Sequence, residues 1–268
     1  MRKDINSNLD SWGHMLLKSE IESFIERGFV KLDDAFPSEL ATMGREILWK
    51  DLPCDPNDKS TWTSPVVRLG GYTQEPFRVA ANTIALHEAF DQLVGRGRWL
   101  PRGSLGTFPV RFPSQQSAND TGWHADASFE GNDGSWRINV KSKGRSLLML
   151  FLFSDIGPED APTRILEGSH LDVPLILQPH GDEGLSYVEL AEKLTSSLDR
   201  DIALATGSAG TVFLCHPFVI HAAQDNKVGS PRFLAQPPLL PAEPLKLHRT
   251  DNTYSPVEIA IRNGLELK

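Results

Sequence analysis

The sequence is poor in cysteine and lacks any long apolar run. It has only two cysteines, Cys54 and Cys215, too few for the disulfide framework of a small secreted domain. The longest apolar run, residues 147–153, has the length of a buried strand, whereas a membrane-spanning helix needs about 20 residues. The opening residues contain early charges but no apolar stretch of the kind that secretory signals carry, so we expect a reduced, cytoplasmic protein.

Positive charge is also scarce. Lysine and arginine number 27 against 35 aspartates and glutamates, which gives a formal net charge of −8 with no basic run. Nucleic acids and anionic membranes are therefore poor partners, and we expect a small-molecule substrate. The chain of 268 residues is 40% hydrophobic and 23% charged, as is usual for globular proteins, and its length fits one large β-rich domain, as a monomer or homodimer.

The pattern of apolar residues changes near Ser104. Before this point, helical spacing predicts α-helices near residues 19–27, 38–50 and 83–94. After it, short apolar and β-branched runs alternate with turn residues, as in a series of strands. We therefore predict a mainly β fold, a double-stranded β-helix (a cupin-like jelly roll of two facing antiparallel sheets) with N-terminal α-helices packed on one sheet.

The prediction places one domain over residues 1–268. It has a helical part at about 1–100, a jelly-roll core at about 104–240 and a proline-containing C-terminal tail at 241–268 that lies on the surface. Residues 171–200 interrupt the strand pattern. They are either a lid over the pocket mouth, where substrate-specific loops tend to lie, or a solvated loop with no role in substrate choice.

The strongest chemical signal is the pair His124 and Asp126 in the segment GWHADASF. Residues i and i+2 of an extended strand point to the same side, so both can bind one metal ion while Ala125 points away. His221 completes a set of two imidazoles and one carboxylate, which binds Fe(II) on one face and leaves the opposite positions open. His216 is the alternative third ligand, but it is an odd number of residues from His221, so the two cannot both face one site on a continuous strand.

Arg232 lies 11 residues after His221, which is enough for an antiparallel hairpin to turn and return beside the metal. A guanidinium at that position can bind the distal carboxylate of 2-oxoglutarate through two parallel hydrogen bonds, while the 2-oxo acid chelates the iron. Arg111, on the strand before the metal segment, is placed either to bind the 2-oxoglutarate or a substrate carboxylate, or to form a structural ion pair. Arg164, which also flanks the predicted pocket, has the same alternatives.

With His124, Asp126, His221 and Arg232 at this spacing, the sequence resembles the phytanoyl-CoA dioxygenase family of Fe(II)/2-oxoglutarate-dependent oxygenases. The segments SDIGPEDAPTRILEGSH and IESFIERGFVKLDDAF are also similar to that family. The resemblance implies a dioxygenase that uses Fe(II), 2-oxoglutarate and O₂, with ascorbate helpful in vitro. It further implies that Thr163 supplies a hydroxyl to the 2-oxoglutarate carboxylate.

The implied reaction is hydroxylation of a small metabolite with release of succinate and CO₂. Asp126 favours such an oxidation, because related halogenating enzymes have a small residue there and bind chloride in its place. Desaturation, cyclisation and epimerisation share the same start and remain alternatives. A cupin-like protein that binds Zn²⁺ without redox chemistry is a further alternative, although such a protein would have no use for Arg232. The sequence does not identify the substrate.

Overall fold

The computed structural model describes residues 15–194 and 197–267. Its α-helices are α1 (Lys18–Arg27), α2 (Ser38–Asp51), α3 (Glu75–Ala80), α4 (Ile84–Leu93), α5 (Val173–Leu177), α6 (Tyr187–Ala191) and α7 (Pro256–Gly264). Its strands are β1 (Phe29–Leu32), β2 (Val66–Leu69), β3 (Trp99–Leu100), β4 (Phe108–Arg111), β5 (Phe129–Glu130), β6 (Trp136–Ile138), β7 (Leu147–Leu152), β8 (Arg164–Leu166), β9 (Leu185–Ser186), β10 (Ile202–Leu204), β11 (Val212–Cys215), β12 (His221–Ala222), β13 (Leu234–Ala235) and β14 (Pro238–Pro241).

Two antiparallel sheets form the centre of the fold. The larger one has the order β1-β11-β7-β14-β3, and β13 also pairs with β7. The smaller one has the order β10-β8-β12 and is extended by a bridge between His221 and His124. Because most neighbours in each sheet are distant in sequence, residues far apart along the chain meet in space, as the predicted jelly roll requires.

One apolar cluster lies between these two sheets. It joins Leu150 of β7, Phe213 of β11 and Ile165 of β8, all of which are buried. Successive residues of a strand point to opposite faces, so Met149 and Phe151 lie on the other side of β7 and belong to a second, larger cluster. Both faces of β7 are thus covered, which explains its unbroken apolar sequence.

The helices cover the outer face of the larger sheet. The second cluster contains Phe24 of α1, Leu40 of α2 and Phe90 of α4 together with Phe151. Each fully buried side chain of this kind contributes roughly 1.5–3 kcal/mol through the removal of apolar surface from water. The prediction of a mainly β fold with N-terminal helices on one sheet is confirmed.

Two parts of the prediction are wrong. The tail is not a surface wrap, because it contains α7, whose Val257 and Ile261 are fully buried and which contacts α1. The Ser255 hydroxyl and the Glu258 carboxylate form a reciprocal cap at its start, a signal that the sequence contains. The metal segment is also not a full strand, since only His124 within it makes a bridge. No helix in the described part of the chain is long and apolar enough to cross a membrane.

Candidate active site

The two histidines His124 and His221 are held opposite each other by the backbone. The His124 N–H donates to the His221 carbonyl at 3.0 Å, and the His221 N–H donates to the His124 carbonyl at 2.8 Å. Residues directly opposite in an antiparallel pair project their side chains to the same face. The two imidazole rings are accordingly 4.5 Å apart between centroids.

Each of these rings is also fixed in its tautomer. The Nδ1–H of His124 donates to the Gly122 carbonyl at 2.9 Å, and the Nδ1–H of His221 donates to the Val219 carbonyl at 3.2 Å. A carbonyl only accepts, so Nδ1 carries the proton and Nε2 presents its lone pair. Both Nε2 atoms face Asp126 Oδ1, at 3.6 Å from His124 and 3.8 Å from His221.

Each of the three residues has one ligand atom within 4.8 Å of the other two, and such a group could hold one metal ion. Burial lowers the pKa of His221 to about 4, which keeps its imidazole neutral, the form that binds metals. Burial alone would raise the pKa of Asp126, but the neighbouring positive charge, of which Arg145 is the largest source, holds that pKa below its usual value. The donor set of two imidazoles and one carboxylate therefore fits Fe(II).

Two buried arginines lie next to this cluster. Arg111 and Arg232 exchange backbone hydrogen bonds of 3.1 and 2.8 Å, so their side chains also share one face. Arg232 Nη1 donates to the Ala161 carbonyl at 2.5 Å, and Arg111 Nη2 donates to Asp120 Oδ2 at 2.7 Å. Asp120 also pairs with Arg68, which is half exposed.

These guanidinium groups retain free donors. Within the described residues, Nε of Arg232 and both Nε and Nη1 of Arg111 are buried without a hydrogen-bond partner. Burial, followed by the positive charge of Arg111, lowers the pKa of Arg232 to about 9. Buried donors that lack partners are costly, and two adjacent cations repel each other, so this part of the site is built to receive an anion.

The metal cluster and the two arginines line one cavity of about 450 Å³. This volume is within the usual range for small-molecule sites. Tyr187 of α6 also lines the cavity, and its ring packs edge-on against His124 at 5.4 Å between centroids. Since Tyr187 belongs to residues 171–200, this segment reaches the mouth of the cavity rather than standing away from it as a solvated loop.

Other sequence candidates occupy different places. Thr163 is buried, and its hydroxyl has no partner in the part of the chain that the structure describes, although Thr163 is not among the residues that line the cavity. Arg164 is a further arginine that the sequence suggests for the pocket, but its guanidinium instead donates to the Thr121 and Ala223 carbonyls and lies over the Trp123 ring.

His216 lies away from the cluster. Its Nε2 is 3.2 Å from the Val257 carbonyl, and its ring is 4.8 Å from that of His170, beneath α1 and α7. Of the two histidines weighed as third ligand, the structure brings His221 to His124 and Asp126. His170 likewise faces the Ile25 carbonyl of α1 and does not line the cavity.

Four charged or aromatic residues of the site were not predicted from the sequence: Arg68, Asp120, Arg145 and Tyr187. Tyr187 had a usable signal, because it is the only aromatic residue within 171–200. Arg145 had none, since it lies 19 residues beyond Asp126 and reaches it only through the fold. Asp120 could have been sought as the partner that a buried Arg111 requires.

The model of one protein family, phytanoyl-CoA dioxygenase, matches residues 79–234, which contain all of these site residues except Arg68. The chain belongs to the phytanoyl-CoA dioxygenase family. It is therefore a 2-oxoglutarate-dependent oxygenase by class. No curated protein sequence matches the chain.

Several solved structures share the fold of this family member. The non-heme alpha ketoglutarate dependent carbocyclase SnoK from nogalamycin biosynthesis superimposes with a TM-score of 0.58 at 19% identity, covering 85% of each chain. HygX from Streptomyces hygroscopicus, with nickel, 2-oxoglutarate and hygromycin B bound, gives 0.54 at 18% identity, covering 82% of this chain and 86% of HygX. EctD from S. alaskensis, with 2-oxoglutarate and 5-hydroxyectoine, gives 0.52 at 19% identity, covering 82% and 74%. At such identities the likeness concerns the fold.

Proposed function

We propose that this chain hydroxylates a small polar or carboxylate-bearing metabolite, with His124, Asp126 and His221 holding Fe(II) and Arg232 binding 2-oxoglutarate. The observation that carries the proposal is the presence of a metal-binding cluster and two buried arginines with unpartnered donors in one cavity. A cation site beside an anion site is what a chelating dicarboxylate needs, because one end binds the metal and the other binds arginine.

The chain's own residues supply binding and orientation. When bound, the iron and 2-oxoglutarate supply the oxidising chemistry with O₂, and 2-oxoglutarate leaves as succinate and CO₂. Arg232 is buried, so its pair with a carboxylate is shielded from water and correspondingly strong. Arg111 gives a second cation to the same region. The Thr163 hydroxyl is buried without a partner in the described part of the chain and is a candidate for a further contact, although Thr163 does not line the cavity.

A small, acidic or hydroxylated substrate suits the charge of the cavity. Arg68, Arg111 and Arg232 line it with Asp120, so positive charge remains after Asp120 is paired. The relatives with bound ligands, HygX and EctD, contain hygromycin B and 5-hydroxyectoine, which are small molecules rather than macromolecules. A coenzyme A thioester would need a basic collar for its phosphates, and the chain has a net charge of −8.

The same binding site also supports a second outcome. SnoK is a carbocyclase, and SnoN, with a TM-score of 0.50 at 12% identity, is an epimerase, so this fold carries reactions other than hydroxylation. Cyclisation, epimerisation and desaturation begin with removal of a substrate hydrogen and differ in the later steps. A non-redox zinc protein is disfavoured, because its chemistry gives no reason to bury two arginines with free donors.

The test is to incubate the protein with Fe(II), ascorbate, 2-oxoglutarate and a panel of acidic and hydroxylated metabolites, and to follow succinate and products by mass spectrometry. A gain of one oxygen in a metabolite supports hydroxylation, and a loss of two hydrogens indicates desaturation or ring closure. Absence of metal-dependent succinate formation with every compound, in protein shown to be folded, would refute the proposal. The His221→Ala variant is the control for adventitious iron chemistry.

A further inference from the structure

The two oxygens of Asp126 face different partners. Oδ1 faces the Nε2 atoms of His124 and His221, at 3.6 and 3.8 Å. Oδ2 instead forms an ion pair with Nη1 of Arg145 at 3.1 Å, without hydrogen-bond alignment, and the Arg145 side chain is only 10% exposed. The carboxylate is therefore divided between the metal cluster on one side and a buried cation on the other.

Arg145 is fixed by its own surroundings. Its Nη2 donates to the Ala127 carbonyl at 3.2 Å, directly beside Asp126 in the chain. Its backbone belongs to a closed turn, in which the Arg145 N–H donates to the Ser142 carbonyl and the Ser142 hydroxyl donates to the Arg145 carbonyl. This turn leads straight into β7, the longest fully buried strand of the larger sheet.

Gly144 allows the turn to approach the metal segment. Its φ is +90°, and a Cβ at this position would lie 2.2 Å from the Ser128 carbonyl oxygen. Only glycine adopts such a conformation so close to another backbone without strain. Because Gly144 lies so close to Ser128, the adjacent Arg145 reaches the carboxylate of Asp126, which is two residues before Ser128 in the chain.

We propose that Arg145 is a positioning residue that holds Asp126 as a one-oxygen metal ligand. With Oδ2 paired to the guanidinium, only Oδ1 is directed at the metal, so the carboxylate cannot take a second coordination position. That position stays free for the co-substrate or O₂. This inference rests on the proposed metal site and concerns how one of its ligands is oriented.

The pairing has a second consequence for the ligand. Arg145 contributes a favourable charge that opposes the cost of burying an ionised Asp126, so the carboxylate remains a ready acceptor for the metal. Partners that orient metal ligands in this way typically account for 10- to 100-fold in metal affinity. We expect replacement of Arg145 to weaken metal binding by a factor in this range.

The experiment titrates Co(II), a stand-in for iron, into the wild-type protein and into Arg145→Met, Arg145→Lys and Lys143→Met. Lys143 lies on the same turn and its charge is directed over the Phe129 ring, so Lys143→Met is a matched control for loss of a positive charge. We expect about 10- to 100-fold weaker Co(II) binding for Arg145→Met, partial recovery for Arg145→Lys and wild-type binding for Lys143→Met.

The visible absorption of the bound Co(II) is the second readout, because its intensity reports coordination number. Arg145→Met should show a changed band intensity as Asp126 becomes free to bind through both oxygens, a change that a merely structural role would not produce. Wild-type affinity and an unchanged spectrum in folded Arg145→Met would overturn the inference. Failure of the metal site itself would appear differently, as Co(II) binding that survives in His221→Ala.

Discussion

Replacing Arg232 with methionine should separate stability from co-substrate binding. The guanidinium is buried beside Arg111, and burial with this repulsion lowers its pKa far below the usual arginine value, to about 9. When folding lowers the pKa of a base, the charged form becomes less favourable than it is in water. Keeping Arg232 charged therefore costs free energy in the folded protein. The neutral methionine has a similar length and removes that cost, so the ligand-free protein should not become less stable.

The magnitude follows from the pKa. The fall of the Arg232 pKa to about 9 corresponds to about 5 kcal/mol of unfavourable free energy for the charged form. The variant also loses the bonds to the Ala161 and Pro109 carbonyls and leaves these oxygens without that donor, which together costs about 3 kcal/mol. The difference, about 2 kcal/mol, should raise the Tm by about 4–8 °C, since each kcal/mol shifts the Tm of a protein of this size by about 2–4 °C.

The stabilisation by 2-oxoglutarate, in contrast, should be lost in the Arg232→Met variant. At 2-oxoglutarate concentrations 100 times the Kd, the wild-type protein gains about 2.7 kcal/mol, or about 5–11 °C in Tm. The Arg232→Met variant should show no such gain. Thermal unfolding with Co(II), with and without 2-oxoglutarate, measures both effects in one experiment.

Arg200→Met is the control for this comparison. Arg200 forms a two-pronged pair with Asp172, at 2.8 and 2.7 Å, away from the cavity. Its loss should lower the Tm while the gain from 2-oxoglutarate stays at the wild-type value. If Arg232→Met retains the full gain from 2-oxoglutarate, or if its ligand-free form unfolds many degrees below the wild type, the assignment of Arg232 as an anion-binding residue with a stability cost is wrong.

Three further predictions concern the histidines and the turn before β7. His221→Ala should abolish Co(II) binding in calorimetric titration, whereas His216→Ala should retain it; the reverse would identify His216 as the ligand. Burial lowers the pKa of His170 to about 4 and that of His216 well below 6.5, so both stay neutral in the folded protein. Folding stability should therefore be intact above about pH 6.5 and fall below it by about 1.4 kcal/mol per pH unit for each histidine, as urea unfolding at pH 5 and 7 would show. A flat profile would mean that these rings take up protons without unfolding. Gly144→Ala should lower the Tm by about 4–12 °C through about 2–3 kcal/mol of strain, and it should weaken Co(II) binding by displacing Arg145; an unchanged Tm would show that the turn can relax.

The candidate metal ligands could be proposed from the sequence because residues two apart in an extended segment point to the same side, even though only His124 of that segment pairs with another strand. His124 and Asp126 are two residues apart, and the pairing with His221 depends on a backbone register that places residues of distant strands side by side. Arg232 was predictable for the same reason. The sequence therefore predicts a site residue where backbone pairing alone sets its position.

Residues that reach the site through side-chain packing were not predictable in this way. Arg145 depends on a turn with two residues in the left-handed conformation, Ser142 and Gly144, and no periodicity points from that turn to Asp126. Arg164 shows the converse error. It precedes Ile165, which faces the sheet interface, so alternation along the strand directs Arg164 to the outer face, where carbonyls and an indole hold it.

The C-terminal helix was missed for a different reason. Prolines after residue 236 indicated an irregular surface segment, and they outweighed the local cap signal at Ser255 and Glu258. Proline is in fact favourable at the first helical position, which Pro256 occupies, because the missing N–H has no partner there anyway. The position of a proline relative to a cap therefore predicts more than the number of prolines.

The backbone bridges of the site hold the proposed cofactor-binding residues independently of the side chains that would contact the substrate. His124 with His221, and Arg111 with Arg232, are each joined by reciprocal main-chain bonds, which do not depend on the identity of neighbouring side chains. The contact from Tyr187 comes instead from a side chain on a short helix, of which only Leu190 is buried. Mutations around Tyr187 should therefore alter the choice of substrate without disturbing the backbone pairs that carry the proposed iron and 2-oxoglutarate positions.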